Sequence, residues 1–146
     1  MNRNTLKYIA VLAMIIDHCA LVFVGMGKPL GVAMRVVGRL TAPIMCYFIA
    51  EGFVHTRSKK KYGKRLFIFA LISQIPYIYL VAGRLWVMKL NMIFTLFFCF
   101  MILLCLEKIG SIPLKIICIL GLGWMCHYCD WGTMAPLWVL LFYLLK

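Results

Sequence analysis

The stretch Leu6-Lys-Tyr-Ile-Ala-Val-Leu-Ala-Met-Ile-Ile-Asp-His-Cys-Ala-Leu-Val-Phe-Val-Gly-Met26 decides the fold class. A helix needs about 20 consecutive apolar residues to cross a bilayer. This stretch is that long, broken only by Lys7 near its start and by Asp17-His18 near its middle. It exceeds the core of a secretory signal and no small-residue cleavage site follows it, so it reads as a retained helix.

Five further apolar runs follow: Leu30 to Val54, Leu66 to Ala82, Trp86 to Leu106, Leu114 to Cys126 and Met134 to Leu145. Six spans would use about 120 residues of a chain of 146. Hydrophobic residues make up 65% and charged residues 14%, against roughly 45–50% and about 25% in soluble domains. A soluble globule of this size has too much surface for so few charges. The same composition excludes a disordered chain and argues against a secreted disulfide scaffold. The expected fold is therefore all-α: a polytopic helical membrane protein with about six transmembrane helices, in a single domain over residues 1–146.

The net charge of +12 would suggest nucleic acid if the chain were soluble. In a membrane protein it mostly encodes orientation. With the N terminus cytoplasmic, the inner face carries Arg3, Lys7, the six basic residues from Arg57 to Arg65, Lys108, Lys115 and Lys146. The outer face carries only Lys28, Arg84 and Lys89. That asymmetry fixes the topology and turns the segment around His127-Tyr-Cys-Asp130 outward. No nucleic-acid partner is expected; membrane lipids are. The segment His55 to Arg65 is expected as a cytoplasmic loop, and turns are expected at Gly25 to Pro29 and at Gly83-Arg84. Pro76 should kink the third run and free a backbone carbonyl. Trp86, Trp124, Trp131 and Trp138 suit an interfacial belt. The short sixth run, stopping at Lys146, reads as a tilted or partial span or as a chain shorter than its relatives.

Ionisable groups at depth in a bilayer are costly and mark functional or structural pairs. Asp17, His18, Arg35, Arg39 and Glu51 lie inside the expected spans. Eleven residues separate Lys7 from His18, which returns to nearly the same helix face about 16 Å further along the axis. One stripe thus offers a cation near the boundary and an imidazole at depth. Asp17 points about 100° away and is better placed to pair with an arginine of the second helix. Antiparallel packing brings Arg39 close in depth to Asp17 and His18, and the part played by Arg35 stays open. Glu51 and His55 share a face nearer the inner end. A neutral histidine in such a setting is a competent general base, and nearby guanidinium groups can stabilise a developing oxyanion. No Gly-x-Ser-x-Gly elbow is present, so direct acyl transfer fits better than a covalent enzyme intermediate.

The segments Leu6 to His18, Val37-Gly-Arg-Leu-Thr-Ala-Pro43, Glu51-Gly-Phe-Val-His-Thr-Arg57, Tyr62-Gly-Lys-Arg65 and Ile72-Ser-Gln-Ile-Pro76 resemble the TraX family of membrane proteins. Asn91-Met-Ile-Phe-Thr95 and Asp130-Trp-Gly132 resemble its later landmarks, in order. The resemblance implies an N-acetyltransferase-like activity of the kind that acetylates conjugative pilin, in a bacterial inner membrane. It also implies kinship with transmembrane acyltransferases of the acyltransferase-3 group, which take acyl groups from acetyl-CoA. Lys7-x10-His18 is similar to that group's basic-x10-His motif. On this resemblance His18 is the catalytic base, with Asp17 and Arg39 beside it, and Lys7, Glu51, His55, Arg57 and Arg65 are candidate contacts for acetyl-CoA. The acceptor would be a pilin N terminus or another envelope protein, glycan or lipid. The rival expectation is a small transporter or an accessory protein of pilus assembly.

The basic segment from Arg57 to Arg65 serves orientation beside anionic lipid and could also attract coenzyme A phosphates. The seven cysteines read mostly as small hydrophobes. Cys126-His-Tyr-Cys129 has a metal-like spacing but lacks the two further ligands that zinc requires, so no metal is expected. A disulfide there is the alternative in an oxidising compartment.

Overall fold

The computed structural model describes residues 3–24, 28–81 and 89–145. The expected turns at Gly25 to Pro29 and Gly83-Arg84, the positions of Arg84 and Trp86, and the terminal Lys146 lie wholly or partly outside the described residues. The described residues form an all-α fold whose helices match the six apolar runs, the second of them in two pieces. They fall into two compact units, Met1–Met45 and Cys46–Lys146.

In the first unit, α1 (Arg3–Cys19) passes into a single π-helical turn, Ala20–Val24. Pro29 opens α2 (Pro29–Arg39), where a missing amide costs nothing. The second run is interrupted at Leu40, which keeps helical dihedrals before α3 (Thr41–His55) resumes. Pro43 explains the break, since it cannot donate to the Arg39 carbonyl and its ring crowds that same oxygen. Ala10 and Ala13 on α1 and Ala20 at the start of the π turn are buried, as are Gly31 and Gly38 on α2. Small residues on both faces allow close approach of the two backbones. Thr41, which opens α3, donates through Oγ1 to the Ala10 carbonyl at 3.2 Å, while Gly38 lies against Asp17, so α1 and α2 run antiparallel.

In the second unit, α4 (Lys59–Val81), α5 (Met92–Lys108), α6 (Ile112–His127) and α7 (Met134–Leu144) follow. α5 packs against α4, α6 and α7, and Cys99, Phe100, Ile102 and Leu103 along it are fully buried. The C-terminal half of α3 joins this core through Phe53, whose ring meets Phe100 and Tyr143 edge-on. The expected basic loop is corrected here: only residues 56–58 lie between α3 and α4, and Lys59 to Arg65 form the first two turns of α4. Lysine and arginine are good helix formers, Ser58 Oγ accepts from the Lys61 amide at 3.5 Å, and the Tyr62 ring packs edge-on against Phe100. α4 runs through Pro76 without ending.

A polar hub ties one end of this unit together. The Asn91 side chain is 3% exposed on a residue basis and uses its full bonding capacity. Its Oδ1 accepts from the Ile93 and Phe94 amides, capping α5. Its Nδ2 donates to the Ala70 carbonyl and to Ser73 Oγ. Gln74 Oε1 accepts from the Asn91 amide at 2.9 Å, and Gln74 Nε2 donates to the Lys89 carbonyl at 2.8 Å. Next to them Leu90 pairs with the turn after α6, donating to the Tyr128 carbonyl and accepting from the Asp130 amide.

Among the described residues, two stretches are long and apolar enough to cross a membrane, Asn4–Val24 and Pro29–His55; Ile112–His127 and Met134–Leu144 are apolar but shorter.

Candidate functional site

The first unit holds Lys7, Asp17, His18, Arg35 and Arg39, the residues expected around the candidate site. α1 holds Lys7 and His18 on one uninterrupted helix, so their common stripe follows from helical spacing. Asp17 is in register with Ala10, Ala13 and Ala20 and therefore faces α2. His18 is turned to the flank of that seam and is half-buried.

His18 Nδ1 lies 2.8 Å from the Met14 carbonyl, one turn back on α1. A carbonyl only accepts, so in neutral His18 the Nδ1 carries the proton and Nε2 keeps its lone pair. The backbone thus selects the tautomer in which Nε2 is the basic nitrogen.

Asp17 meets α2 at two residues. A Cβ added to Gly38 would stand 2.4 Å from Asp17 Cβ, so only glycine leaves room for the carboxylate in the seam. Arg35 Nε lies 4.0 Å from Asp17 Oδ1, with the two side chains 17% and 15% exposed. Asp17 Oδ1 and Arg35 Nη1 are buried atoms without a hydrogen-bond partner. Buried polar atoms are nearly always satisfied, and exceptions concentrate where a ligand or water completes the set. The arginine that reaches Asp17 is thus Arg35, whose part the spacing left open. Arg39, which the spacing favoured, ends α2 with its side chain exposed. A helical projection of α2 accounts for the difference. Gly31, Arg35 and Gly38 fall at i, i+4 and i+7 on the packing face, and Arg39 falls about 80° from Gly31.

The remaining expected contacts belong to the second unit. Glu51 accepts from the Tyr47 hydroxyl at 3.4 Å. His55 is exposed and its Nδ1 lies 3.0 Å from the Glu51 carbonyl. Arg57 and Arg65 are exposed. Gly52 admits the Tyr62 hydroxyl, which an added Cβ would meet at 2.9 Å. Burial pushes the Tyr62 phenol above its usual range, against the opposing effect of the Arg65 guanidinium. Cys126 and Cys129 are both buried free thiols.

The motifs that carried the resemblance sort by role on this geometry. Ser73 and Gln74, Asn91, and the Asp130 amide meet in the hub of the second unit, where they hold helix ends together. Asp17 and Gly38 meet in the first unit beside His18 in sequence, with Asp17 Oδ1 unsatisfied. The model of the TraX protein family matches residues 2–146. The chain belongs to the TraX family. A curated relative from Dichelobacter nodosus, named as a probable fimbrial assembly protein FimC of serogroup H1, is 38% identical over 154 aligned positions. That alignment covers 96% of this TraX-family chain but 63% of the relative, so the chain spans less than two thirds of the relative's length. No solved structure matches.

Proposed function

We propose that this TraX-family chain is an integral membrane acetyl- or acyltransferase. It moves an acetyl group from cytoplasmic acetyl-CoA to an amine or hydroxyl, with His18 as general base. The observation that carries the reading is the hydrogen bond between His18 Nδ1 and the Met14 carbonyl, because it leaves Nε2 as the proton acceptor.

The chemistry follows from that tautomer. The acceptor's N–H or O–H gives its proton to Nε2 as its lone pair attacks the thioester carbonyl carbon. The carbon–sulfur bond then breaks, and the departing thiolate takes the proton from His18. Arg35 Nη1, a buried donor without an acceptor, suits the carbonyl oxygen as negative charge builds on it. Asp17 holds that guanidinium, and Arg39 and Lys7 add positive potential for an anionic donor. The exposed basic residues Arg57 and Arg65, with Glu51 and His55 nearby in sequence, form a second candidate region for donor contacts.

Placement in a membrane is supported by large apolar side chains left exposed along whole helices, such as Ile117 at 66% and Trp124 at 68% on α6. Soluble proteins avoid patches of that size. A multi-pass position in a bacterial inner membrane, with the N terminus cytoplasmic, accords with the charge asymmetry. The relative's name points to fimbrial assembly, which accords with a pilin acceptor; the pilin N terminus itself comes from the TraX resemblance, and another envelope molecule is the alternative. The same name supports a second reading, a non-enzymatic accessory protein of pilus assembly in which Asp17 and Arg35 only join two helices.

Acetyl-CoA with an isotopic acetyl label, added to membranes holding the chain, separates the two readings. Label should pass to a membrane acceptor with the native chain. His18→Ala should abolish transfer while retaining the helical circular dichroism spectrum and thermal stabilisation by acetyl-CoA. Full transfer by His18→Ala overturns the mechanism, and no transfer by a folded native chain favours the accessory reading.

A further inference from the structure

A cavity of about 290 Å³ lies between α4 and α5. Its wall is apolar, formed by Phe67 on α4 and by Phe97, Phe100, Met101 and Leu104 on α5. Lys60 and Lys64 stand at its rim, one turn apart on α4, and both are exposed. Lys59, also on the rim, is already engaged: its Nζ meets the Glu107 carboxylate and lies 4.2 Å from the centre of the Phe53 ring. Among the described residues, no acidic side chain lines the cavity.

The local electrostatics are unbalanced. The first turn of α4 holds Lys59, Lys60 and Lys61 and no acidic residue, although the positive end of a helix favours anions and repels cations. An anion held between Lys60 and Lys64 would relieve both effects. The apolar wall beside them sets the second requirement, a long chain without polar groups.

We propose that this groove binds an anionic phospholipid, with the headgroup phosphate between Lys60 and Lys64 and an acyl chain along Phe67, Phe97 and Met101. The proposal rests on the membrane reading above and not on acyl transfer. Coenzyme A offers phosphates to the same lysines, but its pantetheine arm carries amides, and burying those against a wall without hydrogen-bond partners is unfavourable. An acyl chain has no such groups. The lipid arrangement gives charge complementarity at one end and hydrocarbon contact along the rest.

Native mass spectrometry of the detergent-purified full chain, mixed with equal amounts of phosphatidylglycerol and phosphatidylcholine, tests this. Phosphatidylglycerol should be retained preferentially. Lys60→Gln with Lys64→Gln should weaken that retention about tenfold, and the corresponding double change to Arg should preserve it. Lys108→Gln with Lys115→Gln removes the same charge elsewhere and should leave retention intact. Equal loss in both glutamine pairs would mean a general surface potential and overturn the groove. Displacement of the lipid by acetyl-CoA would assign the groove to the donor and overturn it as well. Alkaline carbonate extraction of membranes reads the underlying assumption separately. A chain released by carbonate overturns both readings, and a chain that stays membrane-bound without phosphatidylglycerol preference overturns the groove alone.

Discussion

Asp17 rests on the bare backbone of Gly38, so closely that an added Cβ would come within 2.6 Å of the carboxylate Oδ1. The seam between α1 and α2 therefore accommodates an ionisable side chain because α2 has none at that position. Alanine is the better helix former by about 1 kcal/mol, yet Gly38→Ala should destabilise the protein by about 1–3 kcal/mol through overpacking. If the chain transfers acetyl groups as proposed, the same change should lower that transfer by moving Asp17 off Arg35. Thermal unfolding in detergent checks the first effect and labelled transfer the second; a more stable variant would contradict the close approach.

Arg35 and Arg39 differ in what they leave behind when removed. Arg35→Leu strands the Asp17 carboxylate in the seam and should cost on the order of 3 kcal/mol. Arg39→Leu alters an exposed side chain and should stay within about 0.5 kcal/mol. Melting temperatures of the two variants give the comparison directly, and the opposite ranking would make Arg39 the partner of Asp17.

Asn91→Asp keeps the acceptor for the Ile93 and Phe94 amides but turns an oxygen toward the Ala70 carbonyl, where an amide donor stood. A loss of about 1–3 kcal/mol is expected. Acidification should shrink it, because a protonated aspartate regains one donor. Urea unfolding at pH 7 and pH 4 against the native chain checks this, and a pH-independent deficit would point to packing instead.

Cys129 supplies a pH prediction. Burial, opposed by the Thr95 hydrogen bond and aided by Cys126 and the Asp130 carboxylate, pushes its thiol up to about 12 from an ordinary value of 9.0. A raised folded-state value means that the native chain holds the proton more tightly than the unfolded chain. The resulting stability is complete below about pH 9 and is lost as pH rises toward 12. Native chain and Cys129→Ala should therefore converge in relative stability, with the native chain losing more, between those limits. Parallel curves over the same range would show a thiol without that shift.

The sequence revealed the helices through run length, and missed where local chemistry overrode composition. The six apolar runs emerge as helices because hydropathy and length set them directly. The basic segment was misread as a loop, because charge density resembles a solvated turn while lysine and arginine in fact extend helices. The break at Leu40 was readable from Pro43 and its effect four residues upstream. In the site, the facing of Asp17 toward the second helix followed from spacing. Choosing Arg35 over Arg39 required the packing face of α2, which Gly31 and Gly38 mark. The selection of the His18 tautomer by the Met14 carbonyl had no sequence signal beyond the i−4 position of a helical histidine.

The hub around Asn91 also joins short-range and long-range loop closures at one end of the unit. Its bonds to Ala70, Ser73 and Gln74 close loops of 17 to 21 residues and can form once α4 and the start of α5 exist. The pairing of Leu90 with Tyr128 and Asp130 must wait for all of α5 and α6, a longer closure with a larger entropic cost. By loop length, the α4–α5 hairpin is expected to be held first, by asparagine and glutamine side chains, with the turn after α6 as the later latch.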